Sequence, residues 1–138
     1  SIILSHSLGA FSTMYLLSEK PELSPKKIIA LGTPNNADFF IDEFIRVLGL
    51  STAIRKNLVD YFSDYSGMIT KDFDSKLFAK NQNSVGLIIH DQNDKEAPFE
   101  YARDMAKLWP RSTFIGTEGF GHKLRDESIV QEVVRFLE

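Results

Sequence analysis

Four short apolar runs, each bounded by turn-forming residues, constrain the fold of this chain more than any other feature. They occupy residues 2–4, 28–31, 85–89 and 113–115. Each run is rich in β-branched or aromatic residues, and none alternates cleanly with polar residues. This pattern indicates strands buried on both faces, as in a parallel sheet covered by helices.

Helical patterns separate the runs and follow the last one. Their apolar positions are Phe11, Met14, Tyr15 and Leu17; Phe99, Ala102, Ala106 and Trp109; and Ile129, Val130, Val133, Val134 and Leu137. All five residues of the last set are expected to point inward. Pro21 ends the first helix, Pro98 and Pro110 bound the second, and Asp126 is the expected N-cap of the third. Strand and helix therefore alternate, which predicts an α/β fold with a parallel sheet of about four strands.

The segment of residues 35–83 is too long for a single crossover between two strands. It contains helical stretches near residues 39–48, 52–65 and 72–79, and it is rich in aromatic residues. We interpret it as a helical cap inserted into one domain that spans residues 1–138. Most of its aromatic side chains are expected to pack on one another, and a few to line an acyl pocket.

Composition excludes several kinds of site. The chain has no cysteine, so disulfides, thiolate metal sites and a cysteine nucleophile are ruled out, although the compartment stays open. A net charge of −3, with one adjacent basic pair, argues against a nucleic-acid partner. No apolar stretch approaches the roughly 18 residues that a membrane span needs.

A serine follows the first run in a context that favours a nucleophile. The segment Ser5-His6-Ser7-Leu8-Gly9-Ala10 joins a predicted strand to a predicted helix. A tight turn there would lift the Ser7 hydroxyl above the sheet, and the helix N-terminus would favour developing negative charge. We expect small residues two positions before and after the serine, because the helix packs on the strand.

This segment resembles the nucleophile elbow of the α/β-hydrolase family, with S-H-S-L-G-A in place of the common G-H-S-x-G-G. The stretch after the third run resembles the family segment His-Gly-x-x-Asp, which makes Asp94 the expected triad acid. Asp91 stands where the family has glycine; it is the alternative acid, with a solvated turn as its preferred role. The glycine-rich loop before His122 resembles the loop of the catalytic base.

The resemblance implies a triad of Ser7, Asp94 and His122, in the chain order that this fold uses. His6 and His90 are expected to be structural. Asn35 and Asn36 are expected to serve in a turn, and the alternative is that one of them reaches the site. The spacing of the three histidines does not suit a metal site, and no cofactor is expected.

The resemblance covers the second half of the family's fold, and the chain begins within a strand without an initiator Met. We therefore expect a longer protein, in which a preceding loop supplies one oxyanion-hole amide and Leu8 supplies the other. The 138 residues alone would then be weakly active or inactive. Their first strand would be an exposed edge, through which the chain is expected to self-associate.

These inferences predict a serine hydrolase that acts on small carboxylic esters or thioesters through an acyl-enzyme. The preference for esters over amides rests on the resemblance alone. An alternative is a hydrolase-like protein that binds a ligand without turnover. A dinucleotide-binding domain is a weaker alternative, because no glycine-rich phosphate loop follows any predicted strand.

Overall fold

The computed structural model describes residues 1–138 and contains one parallel sheet. Its strands, in the spatial order β1-β2-β3-β4, are β1 (Ile2–His6), β2 (Lys27–Leu31), β3 (Val85–Asp91) and β4 (Ser112–Thr117). All three pairings are parallel, with Ile3 opposite Ile28 and Ile28 opposite Gly86. The predicted α/β class and the four predicted strands are therefore confirmed.

Six helices accompany the sheet. They are α1 (Leu8–Glu19), α2 (Ala37–Leu48), α3 (Arg55–Ser66), α4 (Ser75–Lys80), α5 (Phe99–Leu108) and α6 (Glu127–Leu137). The three helices between β2 and β3 fall close to the predicted stretches of the segment 35–83. None of the helices is long and apolar enough to cross a bilayer.

The two central strands are buried on both faces, which explains their nearly unbroken apolar sequences. On β2, Ile28 and Ala30 pack into the core beneath α1, α4 and α5, whereas Ile29 packs into the core beneath α6. Successive strand residues point to opposite faces, so the middle positions of β2 and β3 carry apolar side chains towards both cores, whereas the polar Lys27, His90 and Asp91 stand at strand ends.

Trp109 is the largest side chain of the first core, and it depends on Gly86. The indole is buried, and its Nε1–H donates to the carbonyl of Ser84 at 3.0 Å. A Cβ at Gly86 would lie 2.7 Å from Cη2 of the indole, so only glycine leaves room for this ring on β3.

The prediction for α6 is correct at its start and partly wrong along its length. Asp126 caps the helix by accepting from the amide of Ser128 at 2.9 Å. Ile129 and Val133 are buried, but Val130, Val134 and Leu137 are exposed. A helix on one face of a sheet buries a stripe spaced by three and four residues, and the neighbouring apolar stripe remains in solvent.

Candidate active site

Ser7 occupies the tight turn between β1 and α1. Its backbone has φ 53° and ψ −125°, a left-handed conformation that is uncommon for a residue with a side chain. Its amide donates to the carbonyl of Leu31 at 2.8 Å, which ties the turn to β2. Strain of this kind persists only where the surrounding structure holds it, and it is concentrated at functional positions.

His122 lies between Ser7 and Asp94. Its Nε2 is 2.8 Å from the Ser7 hydroxyl oxygen, and its Nδ1 is 2.8 Å from Oδ2 of Asp94. The three residues follow β1, β3 and β4, so they meet at the carboxyl edge of the sheet, where ligands bind in open α/β folds. The structure thus brings together the three side chains that the sequence selected.

Asp94 is held as a carboxylate. Its side chain is fully buried, which raises its pKa, but hydrogen bonds with His90 and His122 and with the amides of Ala97 and Glu96 outweigh that effect. Together they lower the pKa to about 2. An ionised carboxylate only accepts hydrogen bonds, so Nδ1 of His122 must carry a proton. In the neutral imidazole, Nε2 is then free to accept from the Ser7 hydroxyl.

His90 supports Asp94 from beneath. Its Nε2 is 2.8 Å from the carbonyl oxygen of Ala97 and 3.2 Å from Oδ2 of Asp94, so this nitrogen carries the proton. Its Nδ1 is buried without a hydrogen-bond partner. These contacts agree with the structural role inferred from the sequence.

His6 supports His122 from the other side of the site. Its Nε2 lies 2.7 Å from the carbonyl oxygen of His122, and the two rings are 5.0 Å apart. Since a carbonyl only accepts, His6 donates in this contact. His6 therefore has a structural role beside the elbow, in which it anchors the backbone of His122.

The prediction that Asp91 is a solvated turn residue is wrong. Its side chain is completely buried and accepts from the hydroxyl of Thr117 at 2.7 Å and from the amide of Phe120 at 3.0 Å. The local sequence resembles a polar turn, but the loop after β4 folds over it and excludes water. Asp91 is also not in contact with Nδ1 of His122, which is bonded to Asp94.

The structure differs from the sequence-based expectation at two glycines of the site. Gly32 was not predicted to belong to the site, yet a Cβ there would lie 3.3 Å from Cε1 of His122, and its φ is +56°. Its position directly after β2, at the carboxyl edge of the sheet, was the available signal. At Gly9, by contrast, an added Cβ would meet nothing within 4 Å, so the expected close packing of α1 on β1 does not explain this glycine.

A cavity of about 350 Å³ opens above Ser7 and His122. Its remaining lining residues are Pro34, Phe39, Phe40, Glu43, Arg46, Val47 and Glu96. Glu96 was not predicted from the sequence as a site residue. Its Oε2 lies 3.4 Å from Nε2 of His122, and most of its side chain faces solvent. The sequence predicts that a few aromatic residues of the segment 35–83 line a pocket but does not indicate that Phe39 and Phe40 are among them, because their position over Ser7 depends on how the segment after β2 folds.

A second cavity, of about 280 Å³, lies between α2 and α3 and is lined only by apolar residues. They are Ala37, Phe40, Ile41, Phe44, Leu58, Phe62 and Phe73. Phe40 borders both cavities, and its ring packs edge-on against Phe11 at 5.2 Å. Phe40 is the one residue that lines both of these cavities.

Leu8 and the two asparagines complete the predicted positions. Leu8 is the first residue of α1, where backbone amides have no partner within the helix. Asn36 caps α2 by accepting from the amide of Phe39 at 2.9 Å, as expected for a turn residue, whereas Asn35 has a buried oxygen without a partner. No group of three or more His, Asp or Glu side chains is arranged to hold a metal ion.

Comparison with solved structures identifies the architecture. No protein-family model matches the sequence, and no curated protein matches it. Est1E from Butyrivibrio proteoclasticus superposes with a TM-score of 0.70 and 19% identity, over 97% of this chain and 58% of that one. An esterase domain from a Rhodothermus marinus protein superposes with a TM-score of 0.63 and 18% identity, over 96% of this chain and 57% of its own.

A meta-cleavage product hydrolase from Pseudomonas fluorescens IP01 superposes with a TM-score of 0.64 and 15% identity, over 99% of this chain and 64% of that one. All three are enzymes of one architecture. The chain has the α/β-hydrolase fold.

The α/β-hydrolase fold accounts for where the candidate site lies. In this fold the nucleophile turn follows a strand directly, and the acid and base stand on later loops of the same sheet edge. Ser7, Asp94 and His122 occupy such positions after β1, β3 and β4. The chain spans 57 to 64% of the length of the three solved structures described above.

Proposed function

We propose that the protein is a serine hydrolase that cleaves carboxylic esters or thioesters through an acyl-enzyme intermediate. One observation carries the proposal, namely the unbroken series of hydrogen bonds from Asp94 through His122 to the hydroxyl of Ser7. The positive φ of Ser7 adds independent support, and the lowered pKa of Asp94, which owes part of its shift to the same bond with His122, is consistent with it.

The proposed reaction follows from the protonation states. Nε2 of His122 takes the proton of Ser7 as its oxygen attacks the substrate carbonyl, and the resulting imidazolium is stabilised by the Asp94 carboxylate. The same proton then passes to the departing alkoxide or thiolate, which leaves as alcohol or thiol. Water, deprotonated by His122, attacks the acyl-enzyme, and the acid is released with return of the proton to Ser7.

The developing oxyanion requires hydrogen-bond donors. The amide of Leu8 is the donor that we propose, because it opens α1 directly after the nucleophile and points from a helix N-terminus. In this fold a second amide comes from a loop that precedes the nucleophile strand, and we expect such a donor here.

The substrate is proposed to carry an apolar acyl group. Phe39, Phe40 and Val47 line the space above Ser7, and the wholly apolar cavity begins behind Phe40. We propose that the segment 35–83 acts as a cap in which α2 and α3 cover the substrate, whereas α4 packs into the core with Phe78 and Ala79.

Self-association through β1 is a further part of this proposal. β1 is an edge of the sheet, and its side chains Ile2 and Leu4 are more than half exposed. An apolar edge strand offers unpaired backbone groups to another strand, and a second copy of the chain supplies an identical one.

Steady-state hydrolysis of chromogenic acetate and butyrate esters, the matching thioesters and the matching anilides tests the function. We expect turnover of esters and thioesters that is lost in Ser7→Ala, with the anilides slower. The control is Ser18→Ala, since Ser18 is a serine of α1 whose hydroxyl bonds only the carbonyl of Tyr15. Equal rates for the native protein and Ser7→Ala would refute the proposal. Binding of an ester without turnover would favour the ligand-binding alternative.

A further inference from the structure

The loop that carries His122 lacks regular structure but is bonded to the loop after β3. It follows β4 and contains Gly119 and Gly121, both with positive φ, so it has little conformational preference of its own. A base that must stay within hydrogen-bonding distance of Ser7 and Asp94 cannot depend on such a loop unless other groups order it.

Asp91 supplies two of those bonds and is itself held in place by a third. Oδ2 accepts from the hydroxyl of Thr117 and from the amide of Phe120, and Oδ1 accepts from the amide of Asn93 at 2.9 Å. The amide of Gly121 also faces this carboxylate and helps to lower its pKa. Asp91 therefore bonds the residue that ends β4 and Phe120, which lies two positions before His122.

The charge of Asp91 suits this task. Its burial raises the pKa, but the hydrogen bonds from Thr117, Phe120, Asn93 and Gly121 outweigh that effect and lower it. A buried carboxylate that stays ionised forms stronger bonds to amides than a neutral acceptor would, and it is costly to leave unpaired. The loop is thereby held to one arrangement.

Asn93 continues the same contact. Its side-chain oxygen accepts from the amide of Gly119 at 2.9 Å, and its own amide bonds Asp91. The backbone adds a bond from the amide of Gln92 to the carbonyl of Thr117 at 2.7 Å. The turn of residues 91–94 thus holds both the acid that faces His122 and the loop that presents it.

We propose that Asp91 is a positioning residue for the His122 base, ordering the glycine loop so that the imidazole stays between Ser7 and Asp94. The proposal rests on the proposed hydrolase function for its kinetic readout only. It assigns a role to the position where this chain departs from the glycine of the family motif, and Asp91 itself touches neither Ser7 nor the imidazole.

The test is Asp91→Asn, which keeps the shape of the side chain. Both oxygens of Asp91 face donors, so the NH₂ of asparagine meets a donor whichever way the amide is turned. We expect kcat for a chromogenic butyrate ester to fall roughly 10²-fold with KM nearly unchanged, because a displacement of about 1 Å in the base costs about that much.

Asp74→Asn is the matched control. Asp74 is a structural carboxylate at the start of α4, where it accepts from the amide of Lys76 at 2.8 Å and from the hydroxyl of Tyr101. It should lose stability in a similar way but keep kcat. Equal kcat values for the two variants would overturn the proposal.

A second readout separates the proposal from the function. The Nδ1 proton of His122, bonded to Asp94, should give a downfield NMR signal, and the amides of Phe120 and Gly121 should exchange slowly with solvent. Asp91→Asn should lose that signal and speed the exchange, even if the native protein hydrolyses no ester. An unchanged signal with unchanged exchange would refute the positioning role.

Thr117→Val keeps the test decisive if Asp91→Asn does not fold. This substitution leaves the carboxylate in place and removes one of its donors, the Thr117 hydroxyl at 2.7 Å, so we expect faster amide exchange at Phe120 and a kcat several-fold below that of the native protein. Native exchange at Phe120 together with native kcat would contradict the proposal.

Discussion

The Nε2 atom of His122 lies 2.8 Å from the hydroxyl oxygen of Ser7, although the two residues are 115 positions apart in the chain. The contact depends on a strained turn after β1 and on a glycine-rich loop after β4, at opposite edges of the sheet. The central strands β2 and β3 separate those edges, so the residues at their carboxyl ends must leave room for the imidazole to lie against Ser7.

Gly32 is one such group, and Gly32→Ala should displace the imidazole. The added Cβ would lie 3.3 Å from Cε1 of His122, closer than ordinary packing allows. The imidazole would have to shift by a few tenths of an ångström, and since a misplacement of about 1 Å costs about 10²-fold, we expect kcat for a chromogenic ester to fall several-fold.

Gly67→Ala is the control for Gly32→Ala. Gly67 also has a positive φ, of +72°, but an added Cβ there meets nothing within 4 Å. Both variants should lose about 1 kcal/mol of unfolding free energy through backbone strain, and only Gly32→Ala should lose activity. Equal activity of the two variants would show that Gly32 is not needed for the approach of His122.

Acid unfolding should report the buried carboxylate of Asp94. Its pKa is lowered from 3.8 to about 2 in the folded chain, so its stabilising contribution is fully present above pH 3.8 and is lost as the pH falls through about 2. The shift corresponds to about 2 kcal/mol at neutral pH. Urea unfolding at several pH values should therefore show a shallower acid limb in Asp94→Asn than in the native protein; parallel limbs would contradict the assignment.

Phe40→Ala should change the acyl-chain preference of the proposed hydrolase. Removing the ring joins the cavity above Ser7 to the apolar cavity between α2 and α3. We expect kcat/KM for an octanoate ester to rise relative to acetate by about 10-fold, since each buried methylene contributes about 0.8 kcal/mol and only part of the chain becomes buried.

Phe44→Ala serves as the control, because Phe44 lines only the apolar cavity and is half exposed. This variant leaves the ring between the two cavities in place, so the ratio of octanoate to acetate activity should stay close to that of the native protein. An unchanged ratio in Phe40→Ala would show that the acyl group does not extend behind Phe40.

Association through β1 should be sensitive to charge on this strand. Leu4→Lys places a cation on an apolar edge, where lysine opposes strand pairing. Sedimentation should show a shift towards monomer relative to the unmodified 138 residues, whereas Leu23→Lys, an equally exposed leucine of a 3₁₀ turn, should leave the distribution unchanged. A monodisperse monomer before any substitution would refute the proposal.

The strands and the place of Ser7 could be predicted because each depends on a few neighbouring residues. Runs buried on both faces leave unbroken apolar sequence, as at residues 85–89, and a nucleophile turn needs only a strand, a serine and a helix start. The order of these elements predicts an α/β fold, and the resemblance of the segments around Ser7, Asp94 and His122 to the family motifs implies the α/β-hydrolase fold.

Other features depend on contacts between distant parts of the chain. The local sequence around Asp91 indicates a solvated turn, but its carboxylate is buried by contacts with Thr117, 26 residues later, and with the loop that follows. In α6 two neighbouring stripes are apolar, so the sequence does not show that Ile129 and Val133 face the sheet while Val130 and Val134 face solvent. The position of Phe40 beside two cavities depends on how α2 lies over Ser7.

Covalent labelling of Ser7 tests the central claim most directly. The test uses the native-length protein, which is the natural polypeptide that contains these 138 residues, together with its Ser7→Ala and Ser18→Ala variants. Each would be incubated with a fluorophosphonate and analysed by intact mass. We predict a single adduct on the native-length protein and on Ser18→Ala, and none on Ser7→Ala. Absence of an adduct on the folded native-length protein, or an adduct that persists in Ser7→Ala, would contradict the assignment of Ser7 as an activated nucleophile.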